Sequence, residues 1–539
     1  MKKGLILILF LAAILRFWNL GTYPALNADE AAIGYNAYSL IETGRDEHGN
    51  SWPVHFQSFN DFKPGLYFYL VLPFVKFLGL NEWAVRLPGA TLGVASVFFL
   101  FLLVKELFKS KKLALASALF LAFSPWHIHF SRGAWEVNTA TFLILAGIYF
   151  FIRGVNATSR KLITFSAISL VLSLYTYHAS RVVVPLLGLG VKLLYKKEIK
   201  KNAKNVVMAA AIGAVIILPL VVDLSRGSVF SRAAGVGLFA DTGPLSRINE
   251  QRGEHADFST LTTKLLHNKV VNYGLAFLDN WVRHYHGEFL FLSGDEVQRN
   301  RVPETGQIHM VEAVFVLVGI FFIANAKKHK REWGLVLIWL LVAPTAAAFT
   351  FQSPHALRAQ NMVIPLTVIS AFGFVKILEW LGKRNWRGAI YLVILVLVWE
   401  FARYSHMYFV HMAKEYPFSS QYGVKELVAF VSERGESYGR VVVTDRYDQP
   451  YILFLFYLAY SPLEFQGGHV LTPRDEYGFS TVRDFGKYSF VAVDDWDGRR
   501  SEYPNSLIAG TPEEIPDEAN VIGEIYGTNG IRYFEVVAN

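Results

Sequence analysis

None of the 539 residues is cysteine, which excludes a disulfide framework and any thiolate chemistry. Charge is sparse as well: 18% of the chain is charged against 53% hydrophobic, with a mean hydropathy of +0.30. That balance is too apolar for a water-soluble enzyme of this length. No internal repeat or low-complexity linker interrupts the chain. No His/Asp cluster has metal-ligand spacing, so neither a metal nor a cofactor is expected. A small-residue cleavage site is missing after the first apolar run. Arg16, Phe17 and Trp18 stand in its place, so the run reads as a retained span rather than a removed leader.

Long apolar runs are what the chain does have. Residues 4–20, 206–222, 308–323 and 389–401 with its flanks approach the about 20 apolar residues that cross a bilayer. The net charge is +8, but the basic residues sit in short clusters between these runs: 2–3, 105–112, 195–204, 327–331 and 383–387. This is the positive-inside pattern of cytoplasmic loops rather than a nucleic-acid footprint, so no nucleic-acid partner is expected. Keeping the clusters on one side predicts a polytopic α-helical membrane protein of about 11 transmembrane helices in the cell (plasma) membrane. Two large external loops follow, 21–84 and 223–306. The stretch 63–80 is apolar but short and contains Pro73 and Lys76, so it reads as an interfacial or re-entrant helix in the first loop. Beyond about 410 the charge rises and the runs shorten. "GRVVVTD" (439–445) and "YSFVAVDD" (488–495) read as buried strands, and "PYILFLFYLAY" (450–460) as a helix or a strand. The expected division is a transmembrane domain, 1–409, and a small external α/β domain, 410–539.

The first external loop opens with "LNADEAAIGYNAYSLIETG", residues 26–44, and two adjacent carboxylates, Asp29 and Glu30. Asn27 followed three residues later by Glu30 has capping-box spacing. Ile33, Ala37, Leu40 and Ile41 then share one helical face, which predicts a short amphipathic helix on the membrane surface. A carboxylate pair there can simply offset the helix dipole, worth about 0.3–1 kcal/mol. The same loop, however, carries Lys63 before a proline, and Arg86 enters the next span. Other external segments bring Arg132, His178 with Arg181, and His355 with Arg358. Each alone is explained by snorkelling. Together, cations on several external segments around an acidic pair suggest a site that holds a phosphate and moves a proton.

"DE" after the first span, "KPGLYFYL" (63–70) and "AVRLPGA" (84–90) resemble the dolichyl-phosphate-mannose protein mannosyltransferase and aminoarabinose transferase superfamily. These are GT-C-type membrane glycosyltransferases. The likeness runs over about residues 1–200 and returns more weakly around "SPHALR" (353–358). It implies inverting transfer of one mannose-like sugar, from a polyprenyl-phosphate carrier to a protein, lipid or glycan hydroxyl on the extracytoplasmic side. It implies Asp29 as the catalytic carboxylate with Glu30 as its neighbour, and Lys63 and Arg86 at the lipid phosphate. Arg358, Arg181, Arg132 and His355 are further candidates for that phosphate. Ala32 stands where aminoarabinose transferases carry an arginine, which speaks against that subfamily. Two rival readings exist. "DDWDG" (494–498) resembles the WWDxG signature of oligosaccharyltransferases, although the second tryptophan is absent. A transporter would place its charges at mid-membrane rather than at external span ends.

Overall fold

The computed structural model describes residues 2–59, 61–225, 237–257, 259–473 and 480–539. The chain divides into two compact units. The first comprises Met1–Leu15, Leu92–Ser131 and Glu136–Tyr404; the second comprises Arg16–Thr91, Arg132–Trp135 and Ser405–Asn539. The unit boundaries therefore group the first loop with the C-terminal residues, whereas the sequence suggested a single cut at 409/410.

Among the described residues, six helices are long and apolar enough to cross a membrane: Glu82–Phe108, Glu136–Asn156, Ala203–Ser225, Lys330–Ala348, Gln360–Lys383 and Arg387–Glu415. A seventh arises if Lys111–Phe123 and Pro125–Ser131, bent by 58°, count as one broken span. The expectation of about 11 also drew on segments that form shorter helices, namely Lys2–Phe17, Arg160–Leu174, Ser180–Leu194 and Glu312–Ala324. In the first unit, Glu136–Asn156 packs on Arg160–Leu174, which packs in turn on Ala203–Ser225. Glu312–Ala324 lies against Val363–Lys383. Glycine makes that approach possible: a Cβ on Gly373 would sit 1.8 Å from the Phe315 carbonyl oxygen.

In the second unit, the helix Ala28–Thr43 begins at Asn27 with the reciprocal capping box and ends at Gly44 in the left-handed conformation. It is not an amphipathic surface helix. Ala28, Glu30 through Ala37, Ser39 and Leu40 are buried, which takes in every face. The physical reason is residue size. Ala28, Ala31, Ala32, Gly34 and Ala37 let neighbours close in, and Phe456 and Val85 press against the Gly34 backbone. The neighbours are the helices Leu66–Leu78, Pro450–Tyr457 and Pro462–Gly468. The hairpin β1 (His55–Ser58) and β2 (Asp61–Pro64) pairs antiparallel and sets Lys63 opposite Phe56.

The C-terminal residues of this unit form a seven-stranded sheet. Its strands are β3 (Arg440–Val443), β4 (Val470–Leu471), β5 (Val482–Phe485), β6 (Tyr488–Phe490), β7 (Ser506–Gly510), β8 (Val521–Tyr526) and β9 (Arg532–Ala538), in the order β4-β5-β6-β3-β7-β9-β8. β3 runs parallel to β6 and β7, and the remaining pairs are antiparallel. Period-two alternation assigns the faces. Val441, Val443, Leu507, Ala509 and Val536 join the core shared with Ala28–Thr43 and Pro450–Tyr457. Val442, Ile508 and Val537 face a smaller cluster with Val491, Val493 and Tyr503. The stretch at 450 is a helix because Pro450 sits at its first turn, where a missing N–H costs nothing.

Candidate active site

Asp29 and Glu30 are neighbours on the first turn of Ala28–Thr43, yet they face different partners. Glu30 is 2% exposed. Its Oε1 accepts from Arg86 Nε at 2.7 Å and from the Ala134 N–H at 2.9 Å. Its Oε2 accepts from Arg86 Nη2 at 2.6 Å, and Asn27 donates to the same oxygen from its backbone N–H and its side-chain amide at 3.4 and 3.3 Å. The Asp29 side chain is 25% exposed and ion-paired with Lys63 Nζ. Of the two carboxylates, Asp29 is the one that reaches solvent.

Arg86 is fully buried, and each of its five N–H groups is engaged. Two hold Glu30; Nη1 donates to the Leu20 and Pro24 carbonyls at 2.9 Å each, and Nη2 also donates to the Ala25 carbonyl at 3.1 Å. The guanidinium thus ties the 20–25 turn to the start of the helix. No N–H of Arg86 is left for a phosphate in this arrangement, which differs from the role the resemblance implies. The sequence pattern identified the arginine but could not show that backbone carbonyls surround it.

Arg132 belongs to the same unit and is fully buried. Its Nη2 donates to the Tyr23 carbonyl at 3.2 Å, its Nε to Tyr408 Oη at 3.3 Å, and its guanidinium lies over the Tyr408 and Phe409 rings. Lys63 is buried along its length, with its ammonium 5.0 Å from the Phe59 ring centroid. Gln421 is a participant that sequence reading missed. Its Oε1 accepts the Ala28 N–H at 2.6 Å, one of the otherwise orphaned donors of the helix start, and its amide donates to the Tyr447 and Asp448 carbonyls. No local signal marks a residue 393 positions away from its partner.

Arg181, His355 and Arg358 lie in the first unit. Arg181 donates to the Leu174 carbonyl at 3.3 Å and lies 3.0 Å from His178 Nδ1. Arg358 Nη1 donates to Thr350 Oγ1 at 2.7 Å, and the His355 N–H donates to His284 Nε2 at 3.1 Å. Asp295, also missed, organises this segment. It accepts from the Ala356 N–H at 2.6 Å, the Val297 N–H at 2.9 Å and Asn300 Nδ2 at 3.0 Å, and lies 3.7 Å from His355 Nδ1. Burial pushes its carboxyl up from the ordinary range, and these donors offset part of the rise. Among the described residues, no group of three or more His, Asp or Glu side chains has the geometry to hold a metal ion.

Residues 6–230 match the family model described as dolichyl-phosphate-mannose-protein mannosyltransferase. An uncharacterized protein of Aquifex aeolicus (strain VF5) is 30% identical over 149 residues, 28% of this chain and 29% of its own length, so the chain matches less than a third of that relative. ArnT from Cupriavidus metallidurans, solved bound to undecaprenyl phosphate, superposes with a TM-score of 0.56 at 12% identity, covering 99% of this chain and 98% of ArnT. The archaeal oligosaccharyltransferase AglB from Archaeoglobus fulgidus, solved with an inhibitory peptide and a dolichol-phosphate, gives 0.51 at 14% identity over 85% of this chain and 63% of AglB. At these identities the likeness to ArnT and AglB is one of fold. Residues 6–230 of this membrane protein are therefore similar to the dolichyl-phosphate-mannose-protein mannosyltransferase family, and the chain shares the fold of the GT-C-type enzymes ArnT and AglB.

Proposed function

We propose that this protein transfers a single, mannose-like sugar from a polyprenyl-phosphate carrier to a hydroxyl acceptor, on the extracytoplasmic side of the plasma membrane and with inversion. The observation that carries the reading is the division of labour at Asp29 and Glu30. Glu30 is saturated by buried donors, while Asp29 is partly exposed and paired with a lysine.

In this reading the acceptor oxygen attacks the anomeric carbon on the face opposite the phosphate. Its proton passes to an Asp29 oxygen, the carbon–oxygen bond to the phosphate breaks, and the electron pair leaves on polyprenyl phosphate. Asp29 loses its negative charge as the phosphate gains one. Lys63, held by Asp29 beforehand, is then released toward the leaving group, so its attraction is strongest late in the reaction. Arg86 and Glu30 shape the turn that presents Asp29, and the contact to the donor phosphate falls to Lys63. Arg132 holds the 132–135 segment in place, from which the Ala134 N–H reaches Glu30. Arg181, His355 and Arg358 enter the reading through the sequence pattern alone. Residues 410–539 are proposed as extracytoplasmic and as the part that meets the acceptor.

The test is incubation of membranes containing the full chain with a panel of polyprenyl-phosphate sugars, scored for loss of donor. Consumption of one donor, dependent on Asp29, supports the reading. Donors that all persist through active-enzyme controls would overturn it.

A further inference from the structure

Three of the basic clusters between the apolar runs, 105–112, 195–204 and 327–331, meet around one cavity of the first unit, about 470 Å³ in volume. Glu106 and Lys109 come from the first cluster, Tyr195 from the second and Arg331 from the third. The helix Glu136–Asn156 adds Arg153 from its last turn. The cavity has no part in the chemistry above, and its volume falls within the about 300–1,000 Å³ of small-ligand sites.

The ion pairs here use up the acceptors and leave donors over. Glu106 Oε1 lies 2.9 Å from Lys109 Nζ and accepts from Asn156 Nδ2 at 2.8 Å, and its Oε2 accepts from Arg153 Nη1 at 3.2 Å. Glu332 Oε1 accepts from Arg331 Nε and Nη2 at 3.4 and 3.2 Å, and Glu198 accepts from Nη1 of the same guanidinium. Among the described residues, Arg153 thus engages one of its five N–H groups and Lys109 one of its three, and both side chains are at least half exposed. Tyr195 is 1% exposed, with the Arg331 guanidinium over its ring at 4.4 Å from the centroid. Its hydroxyl is buried without a hydrogen-bond partner among the described residues, which is costly. Ion pairing between helix ends accounts for the carboxylates. It accounts neither for the hydroxyl nor for the surplus of N–H donors.

A ligand rich in acceptor oxygens satisfies both. We propose that this cavity binds the phosphate group of an anionic phospholipid headgroup, with Lys109 and Arg153 donating to the phosphate oxygens and the Tyr195 hydroxyl donating from the cavity wall. A guanidinium matches phosphate geometry, and basic pockets between membrane-spanning helices suit such headgroups. The placement favours a lipid over a free ion. Glu106 and Arg153 stand in the last turns of Glu82–Phe108 and Glu136–Asn156, and Arg331 in the first turn of Lys330–Ala348. All three helices are long and apolar enough to cross a membrane, so their charged ends fall at the level of the headgroups. The inference does not rest on the roles given to Asp29 and Lys63.

Binding of phosphatidylglycerol to the purified full chain in detergent tests it, with phosphatidylcholine as the zwitterionic control and inorganic phosphate as the free ion. Wild type should hold phosphatidylglycerol about ten-fold more tightly than phosphatidylcholine. Tyr195→Phe removes only the hydroxyl and should weaken that binding about ten-fold. Lys109→Gln changes a side chain that is 63% exposed, so the fold is kept, and it should weaken binding about five-fold. In lipid-free detergent Y195F should melt no lower than wild type, because the hydroxyl it loses has no partner in the chain. A lower melting temperature there would give the hydroxyl a structural role and overturn the proposal. Equal retention of the two lipids, or phosphatidylglycerol binding unchanged in both variants, overturns it as well. So does binding of inorganic phosphate without any preference for phosphatidylglycerol, since the ligand is then the free ion.

Discussion

Arg86 grips Glu30 with two prongs, Nε at 2.7 Å from Oε1 and Nη2 at 2.6 Å from Oε2, both groups buried in the second unit. Removing one partner of such a pair strands the other charge in the interior, at about 3–5 kcal/mol. Glu30→Ala and Arg86→Ala should therefore lower thermal stability by an amount no surface substitution approaches. Arg86→Lys should lower it too, since an ammonium cannot fork onto a carboxylate and three carbonyls at once. Thermal unfolding of the purified variants checks this. Melting temperatures equal to wild type would mean that the pair is not what holds the turn.

Gln421 and the Ala28 N–H give a second test. Gln421→Ala leaves a buried donor at the start of the Asp29 helix unsatisfied, at about 1–3 kcal/mol. It should also reduce turnover, because Gln421 caps the helix whose first turn carries Asp29. Gln421→Glu keeps the acceptor oxygen and should recover part of both losses. Steady-state kinetics and melting on the two variants decide the matter.

A third prediction concerns Gly34. A Cβ there would lie 2.5 Å from the Phe456 ring and 2.7 Å from a Val85 methyl. Gly34→Val should cost about 1–3 kcal/mol through overpacking, and more if the backbone cannot shift. Phe456→Leu in the same chain should relieve part of the cost. Unfolding measurements on single and double variants read the coupling directly.

The helix start was legible in the sequence because it is local: Asn27 and Glu30 meet three residues apart, and the capping box forms as the spacing implies. Partners far apart in the chain were not legible. Nothing in "AVRLPGA" shows that Arg86 meets three carbonyls from residues 20–25, and nothing near residue 421 marks Gln421 as a cap for Ala28. The amphipathic reading of 28–43 failed for a different reason. Hydrophobic spacing identifies one apolar face, but alanines and a glycine on the other faces also admit close neighbours. The cut at 409/410 followed the change in composition, whereas contacts follow the shared core of Ile33, Tyr35, Phe454 and Phe456. Truncation near His411 would uncover that core, so point variants are the cleaner probe of the C-terminal residues.

Stability should also depend on pH through Glu47. Its carboxyl titrates near 4.5 when exposed and is pushed up to about 8 by burial in the folded state. Between those values the folded chain keeps a proton that the unfolded chain releases. The contribution is full below about 4.5 and is lost as pH rises through about 8. Over that window wild type should lose roughly a few kcal/mol that Glu47→Gln does not lose. Denaturant unfolding at the two ends of the window compares them, and parallel slopes would contradict the assignment.

The central claim is that Asp29 takes the acceptor proton while Lys63 attends the phosphate. Asp29→Asn preserves size, removes the base and loosens the hold on Lys63. The direct measurement is single-turnover transfer in membranes, paired with undecaprenyl-phosphate binding by the same preparation. The account predicts transfer slower by roughly 10²–10⁴-fold with phosphate binding kept or tightened. Near-normal transfer by correctly folded D29N, or loss of transfer explained wholly by loss of binding, would contradict it.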